Sequence, residues 1–334
     1  MLLEVTTMRR GTILACCAGV FFVVSRPAIG QDPCSRALVP VSLLAKPAAT
    51  LNLTPANFKA TMKHSSLSVV SVRPNTDAHR VVVLLDASGS MGGADRTDWI
   101  SALHTAKQLL RDLPASTEVG LTTFSDVIDT KFPLTTDRDP QVGWLDATAG
   151  NRGSLPKGET ALWASIRESL AVFGAPRLAD TLIVITDGDD NVGKVREKEL
   201  DQALLRSGVR LFAVIQSSRE LFIEAGTDLR AGPDQLRDLS LESGGMSFSR
   251  DASSDPDKFR KTADGSMALD ELARLVTNDF VLEVDLGSPH RELVPWKLEL
   301  QHVPTLKHTE FQVFYPHKIA GCLAESNAAA TKVQ

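Results

Sequence analysis

Short unbroken apolar runs alternate along this chain with stretches in which apolar residues recur every three or four positions. Val81–Leu85 (VVVLL), Thr181–Thr186 (TLIVIT) and Arg210–Gln216 (RLFAVIQ) are runs rich in β-branched residues, the pattern of strands covered on both faces. Glu118–Phe124 predicts a neighbouring strand, Val127–Phe132 a short antiparallel edge strand, and Met246–Ser249 a short last strand. Helical spacing covers Asp98–Leu113, Thr160–Phe173, Val195–Ser207, Pro233–Ser243 and Ala268–Thr277. In the first, Ile100, Leu103, Ala106, Leu109 and Leu110 share a face and Pro114 stops the helix; in the second, Leu162, Ile166, Leu170 and Phe173 do so. The alternation predicts an α/β fold over about residues 78–277, a doubly wound, mostly parallel sheet flanked by helices.

On either side the period changes to two. Ala37–Val72 alternates in short pieces cut by Pro40, Pro47 and Pro55, which suggests several short strands, some at an edge. Phe280–Leu286, Trp296–His302 and Glu310–Tyr315 alternate well. An N-terminal β segment (31–77) and a C-terminal one (278–318) are each thin, so together they are expected to form one small β module around the inserted core. Residues 319–334 are mostly small and polar and read as a disordered tail.

The first thirty residues stand apart. Arg9 and Arg10 precede the apolar stretch Gly11–Val24, and Ala28-Ile29-Gly30 ends in small residues, as a cleaved export signal does. A retained anchor is the alternative, although the run is short of the ~20 residues a span needs. The expected location is exported, periplasmic or secreted, with no stable membrane insertion after cleavage. Two cysteines, Cys34 and Cys322, then remain near opposite ends of the mature chain. Export permits a bridge that clips the ends together, and two unrelated free thiols are the other reading.

Composition removes several function classes. The net charge of −5 offers no basic surface for nucleic acid. There is no G-x-S-x-G, no H-E-x-x-H and no phosphate or dinucleotide loop, and the seven histidines are scattered. The acidic loop DGDDNVG is not a calcium loop: Gly193 falls one position late, and Lys198 stands where a bidentate glutamate is needed.

What remains is oxygen chemistry at strand ends. The run Val81–Met91 (VVVLLDASGSM) feeds Asp86, Ser88 and Ser90 into one turn, with Gly89 letting the backbone fold between them. Thr160 stands at a predicted helix start, and Asp187 lies just past a buried strand. Loops at the carboxyl ends of such strands converge on one crevice. Hard oxygens with few charges suit Mg²⁺ or Mn²⁺, with Ca²⁺ a further option. Gly89, Met91, Glu159 and Asp189 are the candidate rim, and Asp189 and Asp190 also read as solvated loop charges.

The set Asp86-x-Ser88-x-Ser90, Thr160 and Asp187 resembles a von Willebrand factor A domain with a metal-ion-dependent adhesion site. VVVLLDASGSMGG, TALW, TDGDDN and LESGGMSF further resemble the exported bacterial VWFA-related Acidobacterial domain family. There the helix start reads GGTALYDA; here it is KGETALWAS, with Glu159 for the second glycine and Ala164 for the aspartate. The resemblance implies a non-enzymatic binding protein whose cation accepts an acidic side chain from a protein partner. The alternatives are a structural exported protein with a degenerate site and a metal-dependent hydrolase using Glu159 or Asp189 as base.

Overall fold

The computed structural model describes residues 33–45, 51–92, 97–151, 156–188, 190–193, 195–217, 232–251, 258–261, 265–301, 303 and 311–322. The predicted export signal, Asp189 and residues 323–334 of the predicted tail lie outside them; residues 319–322 of that tail are instead built into the fold, with Ile319 in a strand, Ala320 buried and Cys322 bridged.

The described residues form sixteen strands. The first three are β1 (Arg36–Ala45), β2 (Phe58–Met62) and β3 (Ser65–Pro74). The α/β region contributes β4 (Arg80–Asp86), β5 (Glu118–Phe124), β6 (Ile128–Thr135), β7 (Thr181–Thr186), β8 (Arg210–Ser217), β9 (Ser247–Asp251), β10 (Lys258–Lys261) and β11 (Gly265–Ala268). The last five are β12 (Asp279–Asp285), β13 (Val294–Pro295), β14 (Lys297–Leu300), β15 (Phe311–Phe314) and β16 (Lys318–Ile319). The helices are α1 (Gly89–Gly92), α2 (Thr97–Asp112), α3 (Asp139–Gly150), α4 (Leu162–Ser169), α5 (Glu197–Ser207), α6 (Gly232–Glu242) and α7 (Leu269–Thr277).

One sheet has the order β11-β10-β9-β8-β7-β4-β5-β6. Its middle strands β5, β4, β7, β8 and β9 run parallel, with β6 antiparallel at one edge and the β10–β11 hairpin at the other. Strand alternation sorts the core. Val81, Val83 and Leu85 pack with α2, α3 and α7 on one face, whereas Val82 and Leu84 pack with α4, α5 and α6 on the other. Every residue of β4 and β7 is buried, which is why both read as unbroken apolar runs.

The flanking segments build a separate antiparallel sheet, in the order β14-β2-β3-β12-β1-β15, with a core of its own around Val39, Val41, Leu282, Val284, Trp296 and Leu298. Its strands come from both ends of the chain, as the alternating segments predict. Cys34 and Cys322 are joined by a disulfide that closes a sequence separation of 288 residues. Reduction, or Cys322→Ser, is expected to cost about 2–5 kcal/mol in a denaturant titration, because the unfolded chain then regains the entropy of a very long loop.

Several expectations are corrected. Pro40 does not break its strand: β1 pairs β12 along Arg36–Ser42, while β15 pairs only Ser42–Ala45, so the ladder is open on one side at Pro40. Helix α3 escapes the periodicity reading because the apolar residues of DPQVGWLDATAG do not gather on one helical face and it holds two glycines, with Gln141 and Leu145 its buried residues; Pro140 in its first turn was the available signal. Strand β9 is not the last of its sheet, since the hairpin of KFRK and GSMA follows it, two segments too short and too polar to show a period. No helix among the described residues is long and apolar enough to cross a membrane.

Candidate functional site

Strand β4 ends on Asp86, which is fully buried. The chain then turns: Ala87 N–H donates to Phe124 O at 2.7 Å, and Met91 N–H to Ser88 O at 3.2 Å. Ser88 is buried, whereas Gly89 and Ser90 are exposed, so this turn carries the site from the sheet to the surface. Met91 follows into the core, with no exposed surface. It packs among the helices of that face and is therefore not part of the rim.

The carboxylate of Asp86 is held at both oxygens. Ser88 N–H donates to Oδ1 at 2.9 Å, and the hydroxyl of Thr186, the last residue of β7, donates to Oδ2 at 2.6 Å. Gly188 N–H in turn donates to Thr186 Oγ1 at 3.1 Å, which leaves that hydroxyl's proton for Asp86. The hydroxyls of Ser88 and Ser90 share a hydrogen bond at 3.0 Å, in which either can donate. Asp187, half-buried, follows Thr186 directly. The pKa of Asp86 is pushed up from 3.8 to about 7, chiefly by burial and then by the charge of Asp187, with the bonds from Ser88 and Thr186 pulling the other way.

The loop before α4 is stitched to this turn. Gly89 N–H donates to Gly158 O at 3.0 Å, and Lys157 N–H to Ala87 O at 2.9 Å. Thr160, 1% exposed, ties onward to the loop after β7, since its carbonyl accepts Asn191 N–H at 2.9 Å. The loops carrying Asp86–Ser90, Thr160 and Asp187 are thus linked by main-chain bonds at the carboxyl end of the sheet. Thr160 does not open the helix, contrary to the sequence expectation. Helix α4 begins at Leu162 behind Ala161, whose N–H is engaged by Ser125 O. Asp190 is the group that caps it, accepting Trp163 N–H at 3.2 Å through Oδ1 and Gly193 N–H at 3.0 Å through Oδ2. It is therefore not merely a solvated charge.

Two contributors escape a reading of the sequence. Thr186 looks like the end of a strand, although a hydroxyl closing a buried apolar run was a visible signal. Asp126, in the β5–β6 turn, accepts Glu159 N–H at 3.0 Å. Gly158 beside it sits at φ +89°, and a Cβ there would fall 1.9 Å from Asp126 Oδ1, so this position requires glycine.

The donor set fits a small hard cation. An octahedral ion with oxygens at ~2.1 Å has neighbouring ligands about 3.0 Å apart, the separation of the two serine hydroxyls. The carboxylate of Asp86 has about four lone-pair sites, more than the bonds from Ser88 and Thr186 fill. A buried carboxylate whose proton affinity is raised by burial and by a neighbouring carboxylate is what a divalent charge offsets. No group of three His, Cys, Asp or Glu side chains with metal-binding geometry occurs among the described residues, so hydroxyls have to complete any such site.

No curated protein matches this sequence. Among solved structures, the chain is similar to BatB from Bacteroides thetaiotaomicron, with 21% identity over 52% of this chain and 91% of that one and a TM-score of 0.41. It is also similar to a von Willebrand factor type A protein from Catenulispora acidiphila, at 12% identity over 91% and 78% of the two chains, with a TM-score of 0.42. Proximal thread matrix protein 1 from the mussel byssus, solved with a zinc-occupied MIDAS motif, is 16% identical over 63% of this chain and 49% of that one, with a TM-score of 0.45. The model of the von Willebrand factor type A domain matches residues 81–260, more than half of the chain, and the chain belongs to that family.

Proposed function

We propose that this is an exported adhesion protein that binds a partner through a divalent cation, Mg²⁺ or Mn²⁺, held by Asp86, Ser88, Ser90, Thr160 and Asp187. The reading rests on one observation above the others: a buried, doubly hydrogen-bonded carboxylate beside two hydroxyls spaced as neighbouring ligands of one ion. When bound, the cation would supply a Lewis-acidic position for an acidic side chain of a protein ligand. The protein's own part is to orient the oxygens: Thr186 fixes Asp86, and the main-chain bonds from Gly89 and Lys157 hold the loops together. Three neutral hydroxyls among the five donors leave the ion more electrophilic than an all-carboxylate set would, which suits one further anionic ligand. The bridge between Cys34 and Cys322 suits an oxidising compartment and supports export. No partner-binding step requires an acid or base here, and we place the protein among binding modules rather than enzymes.

Calorimetric titration with MnCl₂ and MgCl₂ tests the reading. One cation per chain is expected, with Asp86→Ala lowering the affinity at least about a hundredfold, the scale on which a ligand outweighs the ~10–100-fold effect of an outer-shell group. Absence of binding in the parent protein would refute the proposal.

A further inference from the structure

The loop before Thr160 forms a fixed, exposed rim beside the candidate cation site. Its backbone is clamped by the β5–β6 turn: Asp126 accepts Glu159 N–H at 3.0 Å, and Ser125 O accepts Ala161 N–H at 2.9 Å. On its other side Gly158 O takes Gly89 N–H. Thr160 is 1% exposed, whereas its neighbour Glu159 is exposed. Successive side chains with opposite exposure face different ways, so the Glu159 side chain stands on the solvent side of the loop, next in sequence to Thr160. Lys157 is also exposed in that loop, and no ion pair between the two occurs among the described residues.

An outward carboxylate at the mouth of a site built for an anion would repel an isolated acidic side chain. The same charge becomes attractive when the ligand carries a cation beside its acid, and it rejects ligands that lack one. We propose that the partner of this protein presents an acidic residue flanked by a basic one, the acid addressed to the cation site and the base to Glu159. The inference rests on the cation-dependent adhesion reading above and specifies its ligand.

The test is selection of a random linear peptide library displayed on phage against the immobilised chain in MnCl₂, with elution by EDTA. The expected peptides carry Asp or Glu with Lys or Arg within a few positions. A synthetic peptide from that set should bind Glu159→Gln about two- to fivefold more weakly, the range of an exposed ion pair, and Glu159→Lys more weakly still. Acidic peptides without a basic flank would overturn this inference and leave the adhesion reading intact. Peptides without Asp or Glu, or not released by EDTA, would overturn both. If Glu159→Gln weakened Mn²⁺ binding itself by the same factor as peptide binding, Glu159 would act on the cation, and the inference would fall.

Discussion

In EDTA, the protein is expected to lose about 4 kcal/mol of stability as the pH rises from about 4 to about 7, and Asp86→Asn to abolish most of that loss. The pKa of Asp86 is near 7 in the fold and near 3.8 in the unfolded chain. Between these values the folded state keeps a proton that the unfolded state releases. Raising the pH therefore favours unfolding, and the folded state is favoured most below the lower value. Burial is the main cause and the charge of Asp187 the second, so the effect belongs to the metal-free carboxylate. Asparagine keeps an acceptor for Ser88 N–H, but its amide nitrogen cannot accept the Thr186 hydroxyl proton, so that buried donor loses its partner. That mismatch returns about 1 kcal/mol. Urea titrations across the pH range, taken as the difference between parent and variant, isolate the group from other carboxylates. The same logic gives a cation signature: MnCl₂ should raise the melting temperature strongly at pH 8 and weakly at pH 5, where the proton competes for Asp86. A parent-minus-variant difference that does not change with pH would refute the argument.

The second large effect lies at the opposite end of the sheet. Asp279→Ala is expected to destabilise the protein by about 3–5 kcal/mol, more than Arg210→Met. Arg210 opens β8 and is completely buried. Its guanidinium donates to the Ser42 hydroxyl of β1 and, at 3.1 Å, to Val276 O at the end of α7, and it lies 3.7 Å from Asp279 Oδ2 at the start of β12. One side chain thus ties the α/β sheet to the antiparallel sheet. Burial lowers the pKa of Arg210, and Asp279 followed by Asp180 opposes that shift. Removing Asp279 leaves a buried cation without its nearest carboxylate. Removing Arg210 is milder, because Asp279 retains His79 Nε2 at 2.8 Å and Asn75 Nδ2 at 3.3 Å, and methionine fills much of the volume. Guanidinium denaturation of both variants ranks them, and the reverse order would show that Ser42, Val276 O and Asp180 suffice to hold the Arg210 charge without Asp279.

Neither Arg210 nor Asp279 draws notice in the sequence. Each sits at the border of an apolar run, where a charge normally marks the exposed end of a strand. The α/β core was legible because its strands and helices are periodic over whole elements, and burial on both faces erases the polar alternation of β4 and β7. Other elements were not: the apolar residues of α3 fall around the helix rather than on one face, and the strands of the β10–β11 hairpin are too short to make a period. The oxygen-bearing residues were legible for a related reason, since Asp86, Ser88 and Asp187 follow apolar strands, where a change to polar residues is conspicuous. Met91 was misplaced on the rim because spacing along a turn does not say which side chain folds inward.

Local pattern therefore determined the class of fold, the strand ends that carry oxygens, and the pairing of two β segments from opposite ends of the chain. Tertiary structure alone decided which groups share space. It set Thr186 against Asp86, Asp126 under Glu159, Asp190 on the first turn of α4, and Arg210 beside Asp279. These partners are 100, 33, 27 and 69 residues apart along the chain. A hydrogen bond or ion pair acts over a few ångströms whatever the sequence separation, so only the packed fold brings such groups into range.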